Sequence, residues 1–261
     1  MVKRTFIHLP GIGLRTEAQF WRRGLNTWED FLQVSRVGGL GAERLTWLKG
    51  LLQESLNHLD HPEYFASRLP SQELWRLFRH FRSRTAYLDI ETTGAGWPEL
   101  AVTVVGIYDG RTMQQFVLGH NLMDFPSALA DVEVLVTFNG SQFDLPVLRA
   151  CFPGVRLPAV HLDLRFILAR LGYRGGLKRI EPMFGIFRAP EVAGLNGFDA
   201  VLLWERFQRG DLTAGERLLQ YNREDVLNLE NLMEQAFELG ESLLLKGGGA
   251  KLRGRRRYTT A

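Results

Sequence analysis

From about residue 84 onward, short apolar runs alternate with stretches whose apolar residues recur at helical spacing. The short runs predict strands at 85–90, 101–108, 113–118, 132–138 and 161–164, with Asp109-Gly110 as a hairpin turn between the second and third. Spacings of three and four predict a helix start at 125–129 and helices over 145–150, 165–171, 177–184, 197–209 and 213–239. An antiparallel meander followed by strands alternating with helices builds an α/β fold, a mixed β-sheet flanked by helices. Residues 1–83 read differently. There, Gly11-Ile12-Gly13 and Gly39-Leu40-Gly41 lead toward short helical stretches, expected at 18–23, 28–32 and 45–56. The pattern divides the chain into a helical appendage over 1–83, an α/β domain over 84–245 and a basic tail over 246–261.

The first strand of the α/β domain carries Asp89 and Glu91. Alternate side chains of a strand share a face, so these two acids project together while Leu88 and Ile90 turn into packing. Two like charges side by side repel, and near a buried strand middle a divalent metal ion is the commonest compensation. The plain alternative is a solvent face that happens to carry two acids. Two later segments weigh against it. After the strand at 132–138, the turn Asn139-Gly140-Ser141-Gln142-Phe143 delivers Asp144 just past a strand end, where loops hold functional groups on a rigid scaffold. In the last helix, Tyr221 and Asp225 stand four apart, one turn above the other on a single face. Taken singly, Asp144 could be a helix N-cap and Asp225 a solvated charge. In this order and in these contexts, the three segments point to one site.

The segments Asp89-Ile90-Glu91-Thr92, Asn139 through Asp144, and Tyr221 through Asp225 resemble the three exonuclease motifs of the DnaQ-like, or DEDD, 3'-5' exonucleases of the RNase H-like superfamily. The tyrosine four residues before the last aspartate is similar to the DEDDy branch. The runs His161-Leu162-Asp163-Leu164 and Gly185-Ile186-Phe187-Arg188 resemble the YprB-type group. The resemblance covers roughly residues 84–240 and implies an RNase H-like sheet. It also implies two Mg²⁺ or Mn²⁺ ions, with Asp89 bridging them, Glu91 and Asp225 completing the site and Asp144 acting at the second ion. Two such ions about 3.5 to 4 Å apart activate a water and stabilise the leaving oxygen of a phosphodiester. Both metals prefer oxygen ligands. Tyr221 would orient the attacking water, because a phenol with a pKa near ~10 is a poor base at neutral pH.

Neighbouring residues take supporting roles. Thr92 and Asn139 are candidates to contact the terminal nucleotide, and Phe143 is expected in the core ahead of stacking on a base. His161 and Asp163 share a strand face and are expected to support the site from behind it. Gly11, Gly13, Gly39 and Gly41 resemble the hairpin turns of helix-hairpin-helix modules, where backbone N–H groups at a helix N-terminus approach a phosphate.

Composition narrows the class. A chain of 261 residues with 45% hydrophobic content has room for a large core plus an appendage. Its one cysteine, Cys151, excludes an internal disulfide framework. With no apolar stretch long enough to span a membrane and no signal-like start, a cytoplasmic location is expected. Residues 1–86 hold 13 Lys+Arg against 8 Asp+Glu, residues 87–245 hold 13 against 21, and residues 246–261 hold 6 against none. An acidic region that acts on a polyanion must recruit it through metal ions and basic flanks. The tail is expected to be disordered. The expected activity is a metal-dependent 3'-5' exonuclease acting on a single-stranded DNA or RNA 3' end to release nucleoside 5'-monophosphates. Polarity and product are implied by the resemblance. The alternatives are a nucleic-acid-binding or scaffold protein that uses the nuclease fold for docking, and a structure-selective endonuclease.

Overall fold

A computed structural model describes residues 1–96 and 98–246 of the chain. These residues form two compact units. One comprises residues 1–82, 170–172 and 237 onward, and the other residues 83–169 and 173–236.

The first unit contains helices α1 (Leu14–Arg22), α2 (Trp28–Gln33), α3 (Ala42–Asn57) and α4 (Pro62–Ala66). Thr27 starts α2 through a capping box: its side chain accepts from the Asp30 N–H, and the Asp30 carboxylate accepts from the Thr27 N–H. Phe6, Phe20 and Phe31 form an aromatic core, with Phe6 edge-on to Phe20 at 5.4 Å and Phe20 at 5.2 Å from Phe31. Gly13 and Gly41 are the N-caps of α1 and α3. Only the second glycine hairpin lies between two α-helices, α2 and α3. A single 3₁₀ turn, Val2–Arg4, precedes the first.

The second unit is a five-stranded mixed sheet. Its strands are β1 (Thr85–Thr92), β2 (Val102–Tyr108), β3 (Met113–Val117), β4 (Val134–Thr137) and β5 (Val160–Asp163). They lie in the order β3-β2-β1-β4-β5, antiparallel from β1 to β2 to β3 and parallel from β1 to β4 to β5. Helices α5 (Asp144–Cys151), α6 (Leu164–Leu171), α7 (Leu177–Ile180), α8 (Gly197–Gln208) and α9 (Leu212–Leu245) follow or separate the later strands. The result is the α/β, RNase H-like mixed sheet flanked by helices. On one sheet face Leu88 and Ile90 of β1 pack with Leu145, Val147 and Leu148 of α5. On the other, Val104 of β2 packs with Leu203 and Trp204 of α8 and Leu218 and Tyr221 of α9.

Several elements differ from their expected extents. The helix expected from 125 is a 3₁₀ segment, Leu122–Leu129, because Pro126 inside it has no N–H to offer an α-helical bond. The helix expected over 177–184 breaks after α7 into a 3₁₀ turn, Glu181–Phe184, at Pro182. The fourth strand is trimmed to Val134–Thr137, and the last helix runs on to Leu245. Asp144 is the first residue of α5, whose N-cap is Phe143, so the N-cap alternative for Asp144 does not hold. Beyond Lys246, the expected tail lies outside the described residues. Among the described residues no helix is long and apolar enough to cross a membrane.

Candidate active site

The strand period of two and the sheet register together assemble the acids. Asp89 pairs with Gly106 and Glu91 with Val104 across the antiparallel β1–β2 ladder, which places both acids on the face occupied by α9. Gly106 is what lets α9 come so close. A Cβ there would sit 2.2 Å from Asn222 Oδ1 and 2.8 Å from Val226 Cγ2. Hydrogen bonds fix the contact: Asn222 Nδ2 donates to the Asp89 backbone carbonyl (3.3 Å) and to Asp89 Oδ2 (3.2 Å). Gln115 of β3 donates to Asn222 Oδ1 (3.0 Å) and to the Leu219 carbonyl (2.8 Å). With α9 pinned in this way, Asp225 reaches the two strand acids. One ligand oxygen from each of Asp89, Glu91 and Asp225 lies within 4.8 Å of the others.

The electrostatics of this cluster are unfavourable for three carboxylates alone. Burial first, then the charges of Asp225, Glu91 and Asp144, push the Asp89 carboxyl well above its ordinary value. Glu91 is raised well above its own for the same two kinds of reason. Burial raises Asp225 as well, against the opposing pull of Arg188 and Lys178. Glu91 Oε1 is buried with no hydrogen-bond partner among the described residues. A buried oxygen left so costs about 1–3 kcal/mol or more. Three converging carboxylates and an orphaned oxygen, with no sulfur among them, suit a hard divalent cation that takes oxygen ligands.

Asp144 stands outside that trio. It is buried, and burial raises it to about 7 while backbone hydrogen bonds at its own N–H and at Ile90 pull the other way. Its loop is held from below by Asp163. The Asp163 carboxylate accepts from the Asn139 N–H (2.8 Å), the Ser141 N–H (3.1 Å), the Ser141 hydroxyl (2.6 Å) and the Arg165 N–H (3.1 Å). Asn139 itself adopts φ +68°, a left-handed conformation that asparagine tolerates better than most residues. His161 Nε2 is hydrogen-bonded to Thr137 Oγ1 (2.9 Å), and burial lowers its pKa. Thr92 is buried at the end of β1. Phe143 is 40% exposed, which corrects the expectation that it packs in the core: it is the N-cap of α5, and burial begins only with the next two residues, Asp144 and Leu145.

Tyr221 is buried on α9, one turn from Asp225, and burial with the nearby carboxylates raises its phenol above the ordinary value. Two cations complete the surroundings: Lys178, which the sequence reading did not single out, and Arg188, which it named only within the run Gly185-Ile186-Phe187-Arg188. Lys178 of α7 donates to Tyr221 Oη and lies 3.9 Å from Asp225 Oδ2. Arg188 Nη2 lies against Asp225 Oδ1, while its Nε donates to Glu181 Oε2 at 2.8 Å. Glu181 also accepts from Asn228 Nδ2 of α9 (2.9 Å), so the arginine is braced from behind. Burial opposes the charge on Arg188, but Glu181 and Asp225 outweigh it and hold the guanidinium more firmly protonated. The four hairpin glycines lie in the first unit. Gly11 and Gly39 have φ of +73° and +88°, and a Cβ on Gly13 or Gly41 would meet nothing within 4 Å.

Comparisons with known proteins bear on this arrangement. No curated protein sequence matches the chain. Among solved structures, the family B DNA polymerase from the hyperthermophilic archaeon Pyrobaculum calidifontis is similar at 20% identity with a TM-score of 0.48. That match covers 64% of this chain and 27% of the polymerase, so the chain spans about a quarter of that protein's length. A family model described as RNase H superfamily matches residues 86–237, a stretch that contains the sheet apart from Thr85, together with Asp89, Glu91, Asp144 and Asp225. By that match over more than half its length, the chain belongs to the RNase H superfamily.

Proposed function

We propose that the protein is a divalent-metal-dependent 3'-5' exonuclease of the DnaQ-like DEDDy branch, related to the YprB-type group, which releases nucleoside 5'-monophosphates from single-stranded DNA or RNA. The observation that carries this reading is the convergence of Asp89, Glu91 and Asp225 within 4.8 Å on a nuclease fold. These three residues, with Asp144 beside them, would hold Mg²⁺ or Mn²⁺. When bound, the metal supplies an activated water and charge stabilisation at the leaving oxygen.

The chain's own side chains account for the rest. Tyr221 keeps its proton at neutral pH, so its hydroxyl serves to orient a water rather than to deprotonate it. Lys178 donates to the phenol oxygen, which fixes the ring and leaves the Tyr221 O–H free to donate in turn. Arg188, braced by Glu181, holds the Asp225 carboxylate toward the site. Thr92, next to Glu91 in sequence, and Asn139, at the start of the loop that leads to Asp144, would contact the terminal nucleotide. The exposed ring of Phe143, next to Asp144, is available to stack on a base. His161 and Asp163 act as positioning residues that keep the Asp144 loop in place. In this reading residues 84–245 are the catalytic domain, and the appendage over 1–83 approaches phosphates through Gly11, Gly13, Gly39 and Gly41.

The test is degradation of 5'-labelled single-stranded DNA and RNA with Mg²⁺, Mn²⁺ or EDTA, beside Asp89→Ala and a circular strand. Metal-dependent ladders shortening from the 3' end, absent in the variant and on the circle, support the proposal. Cleavage of the circle makes the enzyme an endonuclease, and no cleavage under any metal removes the hydrolytic reading.

A further inference from the structure

The first unit contains a groove of about 1490 Å³, well apart in sequence from the acids of the second. It runs along the face of α1 that carries Arg15, Ala18, Gln19 and Arg22, whose spacing puts them on one side of the helix. Arg4, Arg170 and Lys246 add further cations to its wall. Glu73 is the one acid in the lining, and it is already neutralised by Arg76 Nε at 2.8 Å and Arg170 Nη2 at 2.6 Å. Arg4, Arg15, Arg22 and Lys246 have no carboxylate partner among the described residues. Among the described residues, the side-chain hydrogen bond of Arg22 returns to its own helix, from Nε to the Ala18 carbonyl. Arg4 Nε is buried with no hydrogen-bond partner among the described residues, an expensive state for a charged donor. Between the cations the lining is apolar: Trp21, Leu14 and Leu245 contribute to it, the last two with more than a third of their surface exposed.

We propose that this groove binds a single-stranded nucleic acid, with Arg15, Arg22, Arg4 and Lys246 on the phosphates and the apolar strip under the bases. Charge complementarity selects a polyanion, since unpaired cations along a groove gain affinity by releasing the counterions of a phosphate backbone. The exposed apolar strip selects an unpaired strand. A duplex keeps its bases stacked inside, whereas a single strand offers π-faces to apolar and aromatic side chains. Beyond Lys246 the sequence continues with Lys251, Arg253, Arg255, Arg256 and Arg257, five further basic residues. The groove deepens the exonuclease reading by giving that enzyme a strand-binding site outside the metal-ligating cluster.

The experiment is titration of a 20-nucleotide fluorescent single strand and of a matched duplex, in EDTA, across a range of salt concentrations. It compares the full chain, Arg15→Gln/Arg22→Gln and Arg209→Gln, the last an exposed arginine of the second unit. Arg15 and Arg22 are exposed, and circular dichroism verifies that the double variant folds. The double variant is expected to bind the single strand at least tenfold more weakly. Its plot of log K against log salt should lose about 1.4 in slope, at about 0.7 per phosphate contact. Unchanged affinity and slope overturn the proposal, as does an equal loss from Arg209→Gln. Preference for the duplex, with the same loss in the double variant, replaces the single strand with a double-stranded ligand and overturns it too. Because binding is read in EDTA, its failure is separate from that of the hydrolytic reading. Groove-dependent binding without any metal-dependent cleavage supports the groove and sinks the exonuclease.

Discussion

Both units bury carboxylates, but they balance the charge in opposite ways. In the first, Glu17 accepts from the Phe6 N–H (2.6 Å) and from Arg76 Nη1 (2.9 and 2.8 Å to its two oxygens), and Glu73 is shared by Arg76 and Arg170. Within this network each acid has a cation and each cation an acid. In the second, Asp89, Glu91 and Asp225 crowd together, Glu91 Oε1 has no hydrogen-bond partner among the described residues, and the nearby Arg188 is also bound to Glu181. Buried charge that is matched holds a fold in one arrangement, whereas a surplus of one sign is a standing cost that the fold keeps only where something else is bound. This imbalance, more than the presence of acids, distinguishes a site from a structural network.

Breaking the matched network should cost the most stability. Arg76→Met leaves Glu17 buried and uncompensated and is expected to destabilise the chain by about 3–5 kcal/mol in urea denaturation. A loss under about 1 kcal/mol would mean that the network contributes little and that the contrast between the units is weaker than drawn.

A pH titration sharpens the contrast next. Burial lowers His8 to about 4, so between pH 6.5 and 4 the unfolded chain binds a proton that the folded chain refuses. Its contribution is fully present above pH 6.5 and is lost as pH falls toward 4, about 3 kcal/mol in all. Asp144 tilts the other way. Raised to about 7, it makes the metal-free protein less stable as pH climbs from about 4 through 7. Thermal melts of His8→Phe and Asp144→Asn in EDTA should therefore remove slopes of opposite sign, and slopes of the same sign would contradict the burial argument.

Smaller effects follow from geometry. Gly106→Ala forces a methyl group against Asn222 and Val226, at a cost of about 1–3 kcal/mol, and should shift Asp225 enough to lower hydrolysis more than it lowers stability. Tyr221→Phe removes the hydroxyl proposed to position water. A loss of about tenfold in kcat with stability unchanged is expected, against complete loss if the phenol were the base.

The sequence made the acids legible because local periods placed them. A period of two puts Asp89 and Glu91 on one strand face, and a separation of four stacks Tyr221 and Asp225. The same rules located the five strands of the sheet to within a few residues, since alternation and turn chemistry are local signals. Lys178 and Arg188 were not legible as site residues. They come from a broken helix and the irregular stretch after it, where no period says which way a side chain points. Their role depends on contacts with α9, some 40 residues later in sequence. Gly106 was hidden for a similar reason: within an apolar strand it reads as a weak point, and only the approach of Asn222 explains it. Phe143 misled because hydrophobicity alone cannot show that a helix N-cap stays exposed while the next two residues, Asp144 and Leu145, are buried.

The central claim is that the surplus of buried acid is a divalent-metal site. Thermal melting of the full chain, Asp89→Ala and Asp225→Asn in EDTA and in Mn²⁺ tests it most directly. In EDTA Asp89→Ala should melt at or above the parent temperature, because it removes a repulsive charge, whereas Asp225→Asn should melt below it, because it also gives up the buried ion pair with Arg188. Saturating Mn²⁺ should stabilise the parent, by about 2.7 kcal/mol at a hundredfold excess over Kd, and leave the variants unmoved. An equal Mn²⁺ shift in all three proteins, or none in the parent, would contradict the claim.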